Sequence, residues 1–254
     1  MLKVGMAQMS VLEGNVNENR IHLESLIKSH AADEIDLLCF PELCISGYDY
    51  RAAAESTDEI DFFAEMASKY NIALLAGVHA AVGGKHYDAC CMWNECGDLL
   101  GEYRKIHLWD TEYDFFDKGE ELVVVPFKGW NIGMLICADY GFSELSTQLA
   151  IKMGADMIIY PSAWYPGWED LFVTSCKMRA AESQIYTIGM NRASGNRQYC
   201  GNTTVANPDG SILMRLETTG EAYGRVTLFK EKIDAARDAL PWRKMKREDI
   251  YSKF

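Results

Sequence analysis

The sequence has no long apolar run and too few basic residues to balance its acidic ones. No stretch approaches the ~20 consecutive apolar residues of a membrane span, and the first nine residues resemble a β-strand rather than a signal peptide. The 254 residues carry 25 basic and 37 acidic side chains, a net charge of −12. Such a surface repels phosphate backbones and anionic membranes, so we expect no nucleic-acid and no membrane partner. These features predict a cytoplasmic protein.

Spacings typical of metal and nucleotide sites are also missing. The chain has eight cysteines but no Cys-x-x-Cys pair, and its five histidines are scattered, without His-Glu-x-x-His. No Gly-x-Gly-x-x-Gly follows the first apolar segment. Without an export signal, the even number of cysteines does not indicate disulfides. We therefore expect no metal and no organic cofactor, and most of the cysteines should be small buried side chains.

No Pro/Ser-rich linker, low-complexity stretch or internal repeat divides the chain. With 48% hydrophobic residues, it is predicted to form one α/β domain over residues 1–254. The patterns predict strands over 2–9, 35–40, 72–80, 86–94, 97–104, 122–127, 130–137, 156–162 and 186–191, and helices over 15–33, 57–70, 143–153, 169–184 and 230–239. Turns at 95–98 and 128–129 indicate hairpins, hence a mixed sheet. Either one sheet between helices or two stacked sheets would cover such apolar strands.

Three chemically capable side chains follow predicted strands. Glu42 comes after an apolar strand and a proline, Lys105 ends a hairpin strand, and Cys137 ends a third strand just before a predicted helix. Functional residues collect at strand ends in α/β sheets because loops converge there. Taken singly, each residue has an ordinary explanation as a packing, capping or surface side chain.

Together these segments resemble the three signatures of the nitrilase superfamily, the carbon–nitrogen hydrolases. The signature segments are Phe40-Pro41-Glu42, Tyr103-Arg104-Lys105-Ile106-His107-Leu108 and Ile136-Cys137-Ala138-Asp139. Similarity to the family continues over nearly the whole chain, at residues 4–8, 154–163, 179–184, 191–195 and 207–210. The order and the spacing of these segments both agree with the family.

The resemblance implies the four-layer α-β-β-α sandwich of the superfamily, with two mixed sheets face to face. It implies a catalytic triad in which Cys137 is the nucleophile, Glu42 the general base and Lys105 the third member. Glu112, seven residues before Gly119 in an aromatic-rich loop, fits the family's second glutamate. Further candidates are the backbone N–H of Ala138 as an oxyanion donor and the side chains of Tyr48 and Trp164 as lining of the substrate pocket.

The implied chemistry is covalent, because a thioester intermediate divides amide cleavage into two easier steps. A free thiol has a pKa of ~8.5 and needs a base to become nucleophilic. We expect burial to raise the pKa of Glu42 towards that task. We also expect the amides of a helix after Cys137 to favour negative charge there, and Lys105 to stabilise the oxyanion.

The signature around the nucleophile departs from the common amidase pattern. Ala138 replaces an aromatic residue, Gly141 stands where arginine is common and Ser143 where proline is frequent, whereas Asp139 and Glu144 are kept. Nitrile-cleaving members more often have Cys-Trp-Glu, so a small linear amide or N-carbamoyl amine is the favoured substrate. A nitrilase, an acyl transferase and a non-catalytic small-molecule binding protein are the alternatives.

The family commonly forms oligomers, so we expect a homodimer or a larger homo-oligomer. Residues 240–254 are predicted to be a C-terminal tail, which could reach the subunit contact. Its basic segment, residues 243–247, is more typical of a solvated surface than of a contact with acidic surface of another subunit.

Overall fold

A computed structural model describes residues 1–251 and 253. In this part of the chain the strands are β1 (Leu2–Gln8), β2 (Leu37–Cys39), β3 (Ala73–Val82), β4 (Lys85–Trp93), β5 (Leu99–Arg104), β6 (Val123–Phe127), β7 (Trp130–Met134), β8 (Met157–Ser162), β9 (Tyr186–Asn191), β10 (Thr204–Ala206), β11 (Ile212–Arg215) and β12 (Ala222–Leu228). The helices are α1 (Val16–His30), α2 (Tyr50–Glu55), α3 (Glu59–Tyr70), α4 (Ser143–Thr147), α5 (Glu169–Ser183), α6 (Lys230–Ala239), α7 (Trp242–Met245) and α8 (Glu248–Tyr251).

The strands form two six-stranded mixed sheets. The first has the order β12-β1-β2-β3-β4-β5 and the second the order β11-β10-β9-β8-β7-β6. In each sheet three adjacent strands are parallel, β1-β2-β3 and β7-β8-β9, and antiparallel strands flank them. The hairpins between β4 and β5 and between β6 and β7 account for the antiparallel edge strands β5 and β6, as the predicted turns indicated. The expected mixed pairing is therefore confirmed.

Alternation along the strands explains why the sheets stack. Leu37 and Cys39 of β2 belong to a core shared with the second sheet, whereas Leu38 packs with α1 and α3 on the opposite face. Side chains in a strand point to opposite faces in turn, so a strand apolar at every position is covered on both sides. On the outer face of the second sheet, the Thr187 hydroxyl donates to the Cys176 carbonyl of α5 at 2.6 Å. The layers are thus helices, sheet, sheet and helices, as the resemblance implied.

The structure corrects several predicted boundaries of strands and helices near Cys137. The strand predicted over 130–137 ends at Met134, and a 3₁₀ turn, Cys137–Gly141, follows. The helix predicted over 143–153 is a five-residue α-helix, α4, continued by a π-helical turn at Gln148–Lys152. The loop predicted over 106–120 contains a 3₁₀ turn at Asp110–Asp114, and α2 was not predicted. Short helices carry too few residues for a periodic pattern, so the sequence shows little of them.

None of the helices within residues 1–251 and 253 combines the length and apolar character that crossing a membrane would require. The tail begins with α7 and α8, and its residues 252 and 254 lie outside the described residues. One domain over residues 1–254, the subunit contact of the tail and the homo-oligomer all stay predictions.

Candidate active site

Glu42 lies in a tight turn that packs directly on β3. The Gly77 N–H donates to the Pro41 carbonyl at 3.1 Å, and the Cys44 N–H donates to the Gly77 carbonyl at 3.0 Å. A β-carbon at Gly77 would collide with the Glu42 α-carbon, so only glycine permits this approach. The Glu42 side chain is completely buried. The backbone of the central strand therefore determines where this carboxylate lies.

Lys105 is placed by backbone bonds on both sides. Its N–H donates to the Asp88 carbonyl of β4 at 2.9 Å, and its carbonyl accepts from the Gly119 N–H at 2.8 Å. A β-carbon at Gly119 would collide with the Arg104 carbonyl oxygen. This contact gives a physical reason for the glycine seven residues after Glu112.

Glu112 reaches the same place from the 3₁₀ turn at Asp110–Asp114. Its Oε2 accepts from the Trp109 N–H at 2.8 Å, and its Oε1 accepts from the Tyr48 hydroxyl at 3.2 Å. Glu112 is buried and Tyr48 is half-buried. The structure therefore brings Glu112 to Lys105 and Tyr48 to Glu112, while their roles in catalysis stay predictions.

The ammonium of Lys105 is surrounded by three buried carboxylates. Its Nζ lies 2.6 Å from Glu42 Oε1, 2.7 Å from Glu112 Oε1 and 3.0 Å from Asp88 Oδ2. We refer to these four residues as the lysine cluster. Its carboxylates approach each other closely enough to hold a metal ion. The ammonium contacts all three of them, so Lys105 already supplies the cation of this site, and the donor set does not fit a metal.

The pKa of Glu42 corrects the sequence-based expectation. Burial acts to raise this pKa, as predicted, but the charge of Lys105 and hydrogen bonds from Asp88 and Lys105 outweigh it and lower the pKa. Burial and the other carboxylates leave the pKa of Glu112 raised and that of Asp88 well above its usual range, although Lys105 opposes both. Burial lowers the pKa of Lys105, yet the three carboxylates raise it well above normal. Glu42 is thus the carboxylate of this cluster best held in its ionised form.

Cys137 is half-buried beside the lysine cluster in a strained backbone conformation. Its φ of +40° lies in the left-handed region, which residues with a β-carbon rarely adopt. Burial and the Glu42 charge raise the pKa of its thiol, while Lys105 and a hydrogen bond from the Ala163 N–H oppose them. The net direction is well upward, so the resting group is the neutral thiol. The short 3₁₀ turn after Cys137 replaces the helix whose amides were expected to favour the thiolate.

Asp139 forms hydrogen bonds both to the turn that contains Cys137 and to the segment that contains Lys105. Its Oδ2 accepts from the Ile136 N–H at 3.0 Å and from the Tyr103 hydroxyl at 2.6 Å. Its Oδ1 accepts from the backbone N–H of His107 at 3.2 Å and lies 2.9 Å from His107 Nδ1. Tyr103 and His107 flank Lys105 in the chain. One buried carboxylate therefore links the turn that contains Cys137 to the segment that contains Lys105.

Replacing Asp139 with alanine should lower the free energy of unfolding by about 3–5 kcal/mol, because a buried acceptor shared by several donors is lost. Asp61→Ala, at an exposed position of α3, is the matched control and should change it by less than about 0.5 kcal/mol. Urea titrations followed by circular dichroism measure both. A loss at Asp139 no larger than at Asp61 would show that these hydrogen bonds do not hold the turn.

The remaining predicted site residues, Ala138 and Trp164, each follow a residue of the site, Cys137 and Ala163. No hydrogen bond within the described part of the chain uses the Ala138 N–H, which is therefore available to a ligand. Trp164 follows Ala163, and its ring packs against Phe172 and Tyr140. A side chain at Gly141 would meet no atom within 4 Å. The pocket role of Trp164 stays a prediction.

Sequence reasoning missed two parts of the site, Asp88 and the Ala163 N–H. Asp88 was detectable in principle, since it is an acidic residue in a strand that is otherwise apolar from Ala89 to Trp93. It lies on the same face as Cys90 and Met92, which point into the core between the sheets. A charged residue on such a face needs a partner. The Ala163 N–H has no sequence signal, because any residue supplies a backbone amide.

Comparison with known proteins shows the family to which the chain belongs. The family model described as carbon-nitrogen hydrolase matches residues 3–238. The chain belongs to the carbon–nitrogen hydrolase family. A protein of Pseudomonas protegens named for its position, hydrolase in pqqF 5'region, is 31% identical over 92% of this chain and 85% of its own length. The omega-amidase NIT3 of Saccharomyces cerevisiae is 27% identical over 99% of this chain and 95% of its own length.

The fold of this carbon–nitrogen hydrolase also agrees with solved structures. The crystal structure of Saccharomyces cerevisiae Nit3, described as a member of branch 10 of the nitrilase superfamily, superposes with a TM-score of 0.89 and 25% identity. The match covers 97% of this chain and 96% of the other. Other relatives of this chain are proteins named nitrilase and (R)-stereoselective amidase. Family membership and the nitrilase-like sandwich predicted from the signatures are therefore confirmed.

Proposed function

We propose that this carbon–nitrogen hydrolase is a cysteine-dependent amidase that cleaves a small linear amide or N-carbamoyl amine through a thioester. The observation that carries the proposal is the buried contact of Lys105 with Glu42 and Glu112, beside the half-buried thiol of Cys137. A half-buried cysteine next to an ionised carboxylate and a fixed cation has the parts that acyl transfer needs.

The first step uses the difference between Glu42 and Cys137. Lys105 keeps Glu42 ionised, while burial keeps Cys137 a thiol. Glu42 can therefore accept the thiol proton as the sulfur attacks the carbonyl carbon. Cys137 begins the 3₁₀ turn with a strained φ, which is proposed to orient the sulfur towards the substrate carbon.

The second step is the breakdown of the tetrahedral intermediate, whose oxyanion is stabilised by one cation and one backbone amide in this proposal. Lys105 and the Ala138 N–H are the proposed donors to the oxygen of the tetrahedral intermediate. Collapse of the intermediate breaks the carbon–nitrogen bond, and the amine leaves with the proton that Glu42 accepted. Water then attacks the thioester and gives one proton to Glu42. The carbon–sulfur bond breaks, the acyl group leaves as its acid, and the sulfur takes that proton back from Glu42 to regenerate the thiol. Glu112 and Tyr48 are proposed to orient the substrate nitrogen and the water.

The choice of amide over nitrile rests on the residues after the nucleophile. Ala138 and Asp139 follow Cys137, whereas nitrile-cleaving members of the family more often have Cys-Trp-Glu at this place. Relatives named amidase and omega-amidase cover almost the whole chain. A nitrilase remains the second candidate, since a relative named nitrilase is 27% identical.

Matched substrates distinguish these reactions. We expect purified protein to release ammonia or an amine from short aliphatic amides or N-carbamoyl amines at a kcat/KM at least about 10²-fold above that for nitriles with the same carbon chain. Mass spectrometry of the products and of the intact protein measures turnover and the thioester. Faster turnover of nitriles would select the nitrilase. Absence of turnover with every amide, carbamoyl compound and nitrile would favour the binding protein.

A further inference from the structure

The lysine cluster carries more acidic groups than one ammonium can neutralise. With Glu42, Asp88 and Glu112 all ionised, the cluster would have a net charge of about −2 in a site where all four side chains are almost inaccessible to solvent. Burying uncompensated charge is strongly unfavourable, and such sites take up protons instead. At least one of the three carboxyl groups should therefore be protonated in the folded protein.

The contact between Glu42 and Asp88 indicates where a proton lies. One oxygen atom of each carboxyl group lies within 4.8 Å of the other, and a hydrogen bond between the two side chains contributes to lowering the pKa of Glu42 and raising that of Asp88. Glu42 Oε2 and Asp88 Oδ1 have no other partner within the described part of the chain. Two carboxyl groups can hydrogen-bond only when one of them keeps its proton, because both are acceptors alone when ionised. A single proton shared between these groups removes the repulsion between them.

The surroundings favour Asp88 as the protonated member of the pair. Glu42 has the shorter contact with Lys105, 2.6 Å against 3.0 Å for Asp88. The Arg192 guanidinium also lies beside Glu42, where its Nε donates to the Glu42 carbonyl oxygen at 2.8 Å. Glu42 therefore receives more positive charge than Asp88 does. The titratable groups that face Asp88 from the packed elements are Lys105, Glu42, Glu112, Tyr48, Tyr50 and Cys90.

We propose that Asp88 is a positioning residue that stays protonated and donates a hydrogen bond to Glu42, holding Glu42 ionised and aimed at the thiol. The role of Glu42 as a base in this statement rests on the proposed function. Burial and the neighbouring Glu42 charge raise the pKa of Asp88, in agreement with the geometry. The proton that Glu42 takes from Cys137 leaves with the amine, and the proton of Asp88 stays in place throughout.

Two variants of similar size distinguish two roles for Asp88, that of a neutral hydrogen-bond donor to Glu42 and that of an ionised partner of Lys105. Asp88→Asn keeps a neutral donor towards Glu42, whereas Asp88→Leu removes it. We expect Asp88→Asn to lower kcat/KM of an amide substrate by less than about 5-fold and Asp88→Leu by about 10²-fold or more. The acidic limb of the kcat/KM profile reports the ionisation of Glu42. It should keep its position in Asp88→Asn and move up by about one pH unit in Asp88→Leu.

Infrared difference spectra test the proton without any substrate. The spectrum of the wild type minus that of Asp88→Asn, recorded near neutral pH, should contain the carbonyl band of a protonated carboxyl group that shifts in D₂O. Absence of that band would overturn the proposal even if the enzyme is active. An equal loss of kcat/KM in both variants would overturn the donor role. If no substrate is turned over, the proposed amidase function fails, and the infrared band still decides the protonation of Asp88.

Discussion

Replacing Cys137 with alanine is expected to abolish amide turnover, lowering kcat by at least about 10⁴-fold, because the acyl group can no longer be held on sulfur. The fold should survive. The thiol is half-buried, its one identified hydrogen bond comes from the Ala163 N–H, and alanine fits wherever cysteine does. We expect the free energy of unfolding to change by less than about 1.5 kcal/mol.

The other cysteines provide the control for this experiment. Cys96 is exposed in the hairpin between β4 and β5, and Cys96→Ala should keep wild-type kinetics. Intact-protein mass spectrometry during turnover should show an added acyl group on the wild type and on Cys96→Ala but none on Cys137→Ala. Persistent turnover by Cys137→Ala, or an acyl group found on another cysteine, would contradict the proposed mechanism.

Replacing Lys105 with methionine should have the second large effect, on stability and on catalysis together. The variant leaves Glu42, Asp88 and Glu112 buried without their cation, and removing one partner of a buried ion pair costs about 3–5 kcal/mol. Loss of the oxyanion donor should lower kcat by at least about 10²-fold. Lys128→Met is the matched control, because Lys128 pairs with Asp36 at the surface and should contribute less than about 1 kcal/mol.

The pH dependence of this loss has a definite sign. In the wild type the pKa of Glu42 is below its unfolded value, so Glu42 stabilises the fold above that value and loses the effect as the pH falls. Without Lys105, burial dominates and raises the pKa, so ionisation now destabilises the folded state. The difference in unfolding free energy between wild type and Lys105→Met should therefore grow from about pH 4 to pH 7. Urea titrations across this range measure it, and a constant difference would contradict the coupling.

The strand ends that carry the site could be predicted from the sequence, because the apolar segments end shortly before residues with acidic, basic or thiol side chains. Glu42, Lys105 and Cys137 each follow such a stop, and their signatures predicted the family and its two stacked sheets. The electrostatic state of the site was not readable in the same way. The pKa of Glu42 was expected to rise because burial was visible in the residues before it, whereas the short distance to Lys105 is a product of tertiary folding.

The prediction of the local structure around Cys137 was wrong for a different reason. The residues from Ser143 to Lys152 have helical composition, but the chain changes from α to π geometry within them. Cys137 adopts a left-handed conformation that nothing in its residue type predicts. Asp139 supplies hydrogen bonds that hold this turn. The Ile136 N–H is a local partner, whereas the Tyr103 hydroxyl becomes a neighbour only when the two sheets stack.

The open space around Gly141 gives the family room to diversify. Glu42 and Lys105 are positioned by backbone contacts at Gly77 and Gly119 that admit no side chain, whereas Gly141 faces no atom within 4 Å. Larger or charged residues can thus arise two positions beyond Asp139 without displacing the lysine cluster. Exposed position 141 should therefore tolerate substitutions that Gly77 and Gly119 do not, so sequence drift at this turn leaves the buried carboxylates and their ammonium where they are.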